Sequence, residues 1–152
     1  DDGMFDFIAK SGVPYIMMHI QGTPQTMQLN PVYDNVVKDI RKFFTDRIAM
    51  LNEVGFDNII LDPGFGFGKT LDHNYELMDG MDSYLDLEYP ILVGISRKTM
   101  IYKLIGGTAN EALNGTTVLN TISLLKGASI LRVHDVREAV EAVKITEKMR
   151  RR

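Results

Sequence analysis

Cysteine is absent, so the chain has neither a disulfide framework nor a thiolate metal site. That suits a reducing compartment, and a cytoplasmic setting is the expectation. No stretch approaches the ~18 consecutive apolar residues that span a bilayer, and no secretory signal pattern is present, so no membrane partner is expected. An excess of positive charge is missing as well. The 17 Lys and Arg against 20 Asp and Glu leave a net charge of −3, which gives no general attraction to nucleic acid or anionic lipid. The one basic run, Arg150-Arg151-Arg152, stands at the end of a predicted helix, where cations complement the dipole. Low-complexity segments and linkers are lacking too, so the 152 residues read as one domain. What remains is ordinary for a globular chain: 45% hydrophobic and 24% charged residues.

Helical and strand patterns alternate. Residues 1–11 carry Met4, Phe5, Phe7 and Ile8 at helical spacing, and Gly12 ends the pattern. Residues 13–19 form a nearly all-apolar run, the pattern of a strand buried on both faces. A long helix is predicted from near Pro31 to Val54, with Val36, Ile40, Phe43, Phe44, Ile48 and Leu51 as its core stripe. Strands are predicted at 58–62, 91–94 and 130–134. Helices are predicted at 72–83 (with Asp72 as cap), 98–105, 111–126 and 136–149.

The strand-like segments end in polar groups: His19, Asp62, Lys98 and the pair Arg132/His134. Their separation is about what one strand, one covering helix and two loops occupy. Alternating β and α units imply a parallel sheet with right-handed crossovers. An open doubly wound sheet concentrates its ligand groups at one switch point, whereas a barrel gathers them from successive strands at one mouth. Polar ends on every strand, and a chain that opens inside a helix, favour the barrel. The expected fold is α/β, with parallel β/α units forming the second half of a TIM (β/α)8 barrel. Residues 1–152 would make a single partial domain of four such units.

The sharpest motif is Asp62-Pro63-Gly64-Phe65-Gly66-Phe67-Gly68-Lys69. A carboxylate at the end of an apolar strand is poorly solvated, and it gains by accepting two parallel N–H bonds from a flat amidine-like edge. A 2-amino-4-oxopyrimidine offers that edge. The glycines permit close backbone approach, and Phe67 can stack on a planar ligand. The bland alternative is that Asp62 caps a turn. A phosphate-binding P-loop is out of register, because the position its first glycine needs is Pro63, which also lacks an N–H. Lys98 and Thr99 open a helix, where free N–H groups favour anions; a solvated surface lysine is the plain alternative. Arg132 and His134 lie two apart on a predicted strand and so share a face. Arg132 in an apolar strand is costly unless it meets an anion, either a ligand phosphate or an internal partner such as Asp62 or Asp135. His19 reads more readily as a structural strand-end histidine than as a ligand contact. No serine–histidine or cysteine pair suggests a nucleophile.

Taken together, Met18-His19-Ile20-Gln21-Gly22-Thr23-Pro24, the stretch from Asp62 to Lys69, Ser96-Arg97-Lys98 and Arg132-Val133-His134-Asp135-Val136 resemble dihydropteroate synthase, of the pterin-binding TIM-barrel enzymes. The resemblance implies a transferase of folate synthesis. In its reaction 7,8-dihydropterin-6-ylmethyl diphosphate and 4-aminobenzoate give 7,8-dihydropteroate and diphosphate, with sulfonamides as competitors of 4-aminobenzoate. It further implies that Asp62, Lys98, Gly94 and Met17 contact the pterin. Phe67 and Thr99 would line the aminobenzoate site, and Arg132 and His134 would hold the diphosphate. Lys98, Arg132 and His134 are then the catalytic set. The resemblance extends to the last four strands of eight. The first half would supply further pterin contacts and the ligand for magnesium, with no metal ligand in this segment. The fragment alone is expected to be inactive and to associate, and the complete enzyme to be a homodimer. The rival readings are a methyltetrahydrofolate:corrinoid methyltransferase barrel, which has no diphosphate to hold, and a non-catalytic fragment whose strand-end groups only satisfy one another.

Overall fold

A computed structural model describes residues 3–23, 25, 27 and 31–150. Pro24, Arg151 and Arg152, singled out from the sequence, lie outside the described residues. The first helix, α1 (Met4–Ser11), ends at Gly12, whose left-handed φ of +66° lets its N–H return to the Ile8 carbonyl. Of the apolar stripe expected on α1, Ile8 is buried, whereas Met4 and Phe7 are exposed.

The second helix, α2 (Val36–Glu53), starts later than Pro31 suggests. Asn35 is its cap: the extended Asn35 accepts the Lys38 N–H on its side chain at 2.9 Å, and the Asp39 carboxylate accepts the N–H groups of Asp34 and Asn35. A cap with its partners in place outweighs a proline further upstream. Val36, Ile40, Phe44 and Leu51 are buried along α2, with Phe43 and Ile48 partly so. Helix α3 (Leu71–Gly80) is capped by Thr70 rather than by Asp72: Thr70 and His73 satisfy one another reciprocally. The chain then tightens into a 3-10 segment, Met81–Leu87, instead of continuing to Ser83 as α-helix. Further on come α4 (Thr99–Ile105), a 3-10 turn at Ala109–Glu111, α5 (Leu113–Leu125) and α6 (Val136–Arg150).

Four parallel strands separate these helices: β1 (Tyr15–Met18), β2 (Ile59–Asp62), β3 (Leu92–Val93) and β4 (Ile130–Leu131). Tyr15 pairs with Ile59 and Met18 with Asp62. Leu61 bridges to Ile91, and Leu92 and Val93 pair with Ile130 and Leu131. The spatial order is therefore β1-β2-β3-β4, the sequence order. Each strand lies next to its successor and in the same direction, so every strand's carboxyl end opens at one side. The strands are shorter than the apolar runs because a ladder extends only where a neighbour is present. For the same reason β1 is not buried on both faces: Ile16 is 45% exposed at the edge, while Met17 on the opposite face lies in the core that β2 and the helices share. Among the described residues no helix is long and apolar enough to cross a membrane.

Candidate functional site at the carboxyl ends of the strands

Asp62 closes β2 and is 1% exposed. Its Oδ1 accepts the Gly64 N–H at 2.9 Å, the bond expected of a turn-capping carboxylate. Its Oδ2 is buried and, among the described residues, accepts no hydrogen bond. The nearest cation is Arg132, whose Nη2 lies 3.2 Å away as an ion pair. The guanidinium is half open to solvent, which screens the attraction. Without a directed donor, half of the carboxylate is left to something else, which is rare for a buried oxygen.

The ammonium, guanidinium and imidazole expected at the rim do meet there. A small cavity of about 140 Å³ is lined by Gly94, Ser96, Lys98, Arg132, Val133 and His134. Strand β4 stops at Leu131, so Arg132 and His134 do not share a face through strand alternation. They are brought together by the turn that follows, after the Arg132 N–H makes a last bond to the Val93 carbonyl. Arg132 is not buried either: its side chain is 50% exposed. His134 is held by Ser96, whose hydroxyl accepts the His134 backbone N–H at 3.2 Å and contacts Nδ1 at 2.9 Å. Gly94 leaves room for the guanidinium, since a Cβ there would stand 2.7 Å from Arg132 Nη2.

Lys98 is the extended cap residue of α4. Its ammonium donates to the Phe65 carbonyl and lies 4.4 Å over the Phe67 ring, a cation–π contact. Burial pushes its pKa down to about 8; Asp62 acts the other way and Arg132 adds to the fall. Lys98 is also a wall of a second, larger cavity of about 780 Å³, together with Phe67, Thr99, Asn74 and Tyr102. Two compartments thus share one lysine, with the half-satisfied acid beside it. The Thr99 hydroxyl contacts the Tyr102 hydroxyl at 3.0 Å. Met17 lies wholly within the core.

His19 does not join this mouth. It is 7% exposed, set against Phe43 and Tyr33, and its Nδ1 lies 3.1 Å from Lys69 Nζ. Burial, with Lys69 and Arg47 nearby, holds its pKa down to about 3, so it is neutral. Two residues that stand within the motifs but carried no assigned role are structural here. Arg97 adopts a left-handed φ of +54°. It grips Asp135 with two bonds of 2.9 and 2.8 Å and donates to the Ala109 and Asn110 carbonyls. Asp135 therefore belongs to Arg97, and Arg132 is left to Asp62. Lys69, 4% exposed, is the other; its only sequence signal is a cation within a glycine-rich apolar run.

Residues 1–134 match the family described as pterin binding enzyme. The chain belongs to the pterin binding enzyme family. Within that family it is 41% identical to the dihydropteroate synthase of Escherichia coli K12 over 149 residues, which are 97% of this chain and 53% of that protein. The dihydropteroate synthase of Haemophilus influenzae is 40% identical over 138 residues, 90% of this chain and 50% of that one. The crystal structure of the Yersinia pestis dihydropteroate synthase in a sulfonamide drug complex superposes with a TM-score of 0.93 at 41% identity, covering 97% of this chain and 55% of that one. A Xanthomonas albilineans dihydropteroate synthase in complex with 7,8-dihydropteroate superposes with a TM-score of 0.90 at 31% identity, covering 100% of this chain and 56% of that one. The chain spans about half the length of the relatives it matches, and its parallel β/α units are those of part of their TIM-type barrel.

Proposed function

We propose that this chain is a single partial pterin-binding domain, the second half of a dihydropteroate synthase barrel, working in folate synthesis. The observation that carries this reading is the buried Asp62 Oδ2, which among the described residues accepts no hydrogen bond, beside a cavity walled by Lys98, Arg132 and His134. The likeness to dihydropteroate synthases supports it.

Asp62 would accept the N–H pair of the 2-amino-4-oxopyrimidine edge, with Lys98 and Gly94 framing the pterin; Met17, expected from the resemblance to touch it, is wholly within the core and would only back the end of β1. Arg132 and His134 would take the diphosphate. Phe67 and Thr99 would line the place of 4-aminobenzoate, where a sulfonamide would compete. The C–O bond to diphosphate breaks, and its electron pair leaves with the phosphate oxygens toward Arg132 and His134. The methylene cation left behind is delocalised into the pterin ring. The aminobenzoate nitrogen then forms the new C–N bond, and the proton it gives up passes to the departing diphosphate or to water. These residues catalyse by holding the leaving charge and fixing the amine's approach, and no nucleophilic side chain takes part. Magnesium would be the metal ion of the complete protein, where it would assist the diphosphate. Its protein ligand would lie on the part of the relatives that this chain does not span, and no step is derived through it. The complete protein would be a cytoplasmic homodimer.

The test is a chimera in which this chain replaces the matching segment of the Escherichia coli enzyme. Dihydropteroate formation is expected, with a loss of at least about 100-fold in Asp62→Asn, since charge-assisted hydrogen bonds contribute about 1.5–3 kcal/mol each. A folded chimera that binds neither pterin nor diphosphate would overturn the reading.

A further inference from the structure

Lys69 is a buried cation that the proposed reaction does not use. Among the described residues it forms no ion pair. Its ammonium meets three acceptors instead: the Gly64 carbonyl at 2.9 Å, the Phe67 carbonyl at 3.0 Å and His19 Nδ1 at 3.1 Å. The first two lie on the glycine-rich loop and the third at the end of β1. Loop and strand end are already in tight contact there, because a Cβ on Gly64 would stand 1.9 Å from the His19 carbonyl oxygen. The two carbonyls are not arbitrary. Gly64 donates its N–H to the acid Asp62, and Phe67 carries the ring that faces Lys98 and walls the larger cavity. The Phe67 N–H also donates to the Gly64 carbonyl, so one short loop segment is closed from inside and clamped from outside by the same lysine.

We propose that Lys69 is a positioning residue that clamps the Gly64–Phe67 segment to the end of β1, fixing the acid and the ring on either side of the mouth. The proposal rests on the reading of Asp62 and Phe67 as ligand contacts. The clamp has an unusual property: it is complete in two proton states. A charged Lys69 donates to both carbonyls and to a bare His19 Nδ1. A neutral Lys69 donates to the same carbonyls and accepts an Nδ1–H, if the imidazole takes its other tautomer. The groups facing the pair are Asp62 from β2, Lys98 from the α4 cap, Arg47 from α2 and Tyr33 ahead of α2. Burial, with Lys98 adding to it and Asp62 opposing it, brings Lys69 down to about 7. The two states therefore exchange near neutral pH while the loop stays shut.

The experiment is nitrogen-15 NMR of the His19 ring in the full 152-residue chain from pH 5.5 to 9, with amide exchange at Gly64 and Phe67, in the wild type, Lys69→Met and Lys69→Arg. His19 Nδ1 is expected to change from acceptor to N–H as pH rises past about 7, with no loss of amide protection. In Lys69→Met that change should vanish, and the Gly64 and Phe67 amides should exchange at least tenfold faster while those of β1 do not move. Lys69→Arg, which keeps the charge, should recover part of the protection. In the chimera, Lys69→Met should raise KM for 4-aminobenzoate about tenfold with a smaller fall in kcat. A His19 tautomer that is constant across this range, or unchanged exchange in a folded Lys69→Met, overturns the proposal; if that variant does not fold, the wild-type tautomer titration decides. Because the NMR needs no ligand, a clamp that holds while the chimera binds no pterin would sink the functional reading alone.

Discussion

Two glycines near the mouth are separated by what their missing side chains would strike. At Gly64 a methyl group would meet the His19 carbonyl oxygen at 1.9 Å, and φ is +70°. The obstacle is backbone and the conformation is left-handed, so neither can yield cheaply. Gly64→Ala is expected to cost more than about 2 kcal/mol, read as a lower urea midpoint, or to prevent folding. At Gly94 the obstacle is the guanidinium tip of Arg132 at 2.7 Å, a half-exposed side chain that can swing away. Gly94→Ala should therefore cost less than about 1 kcal/mol of stability yet weaken diphosphate binding in the chimera, because the displaced Arg132 no longer sits beside Asp62. Equal losses of stability in the two variants would contradict this account of the approach.

At the scale of the element, α3 begins where its cap is complete. Thr70 Oγ1 accepts the His73 N–H and His73 Nδ1 accepts the Thr70 N–H, so two otherwise unpaired donors are satisfied at once. Thr70→Ala should cost about 1 kcal/mol in chemical denaturation, whereas Asp72→Ala should cost a few tenths, the contribution of a charge in the first turn. The same helix reaches back to the loop, since Asn74 accepts the Gly66 N–H at 2.7 Å and donates to the Thr70 carbonyl. A weakened cap is thus expected to loosen the loop as well, seen as faster Gly66 amide exchange. A cap variant that leaves Gly66 protected would show that helix start and loop are independent.

For the whole molecule, pH acts through His19 and Lys69 in one direction. Burial lowers His19 from 6.5 to about 3 and Lys69 from 10.5 to about 7. Between about pH 3 and 6.5 the unfolded chain binds a proton at His19 that the native chain does not, and between about 7 and 10.5 the same holds at Lys69. Stability should rise with pH through both windows. Denaturation midpoints at pH 5, 7 and 9 check this: His19→Gln should flatten the lower window and Lys69→Met should reduce the rise in the upper one, where Lys98, lowered to about 8, acts in the same direction. A midpoint that falls between pH 7 and 9 in the wild type would refute the Lys69 contribution. Exposed apolar side chains on α1 and α6, among them Phe7, Ile145 and Met149, together with the open edge at Ile16, predict that the isolated chain associates in light scattering and forms no dihydropteroate. A dilute monomer with turnover would overturn both expectations.

Strand, helix and loop were legible because each follows from spacing along the chain: apolar runs for β1 to β4, the helical stripe of α2, and the polar residues that close the strands. The acid Asp62 and the groups Lys98, Arg132 and His134 could be picked out for the same reason, each being a polar group where an apolar strand ends. What no spacing could decide was partnership. Arg132 faced a choice between Asp62 and Asp135, and it was settled only when Arg97, in a left-handed conformation, took Asp135. Likewise His19 turned inward because Lys69, far along the chain, came to lie against it. Secondary structure is a matter of near neighbours, whereas ion pairs and hydrogen bonds between strand ends depend on distances that exist only once the strands stand side by side. The chain's own order named the groups; the packing of β1 to β4 chose which of them would remain open to a ligand.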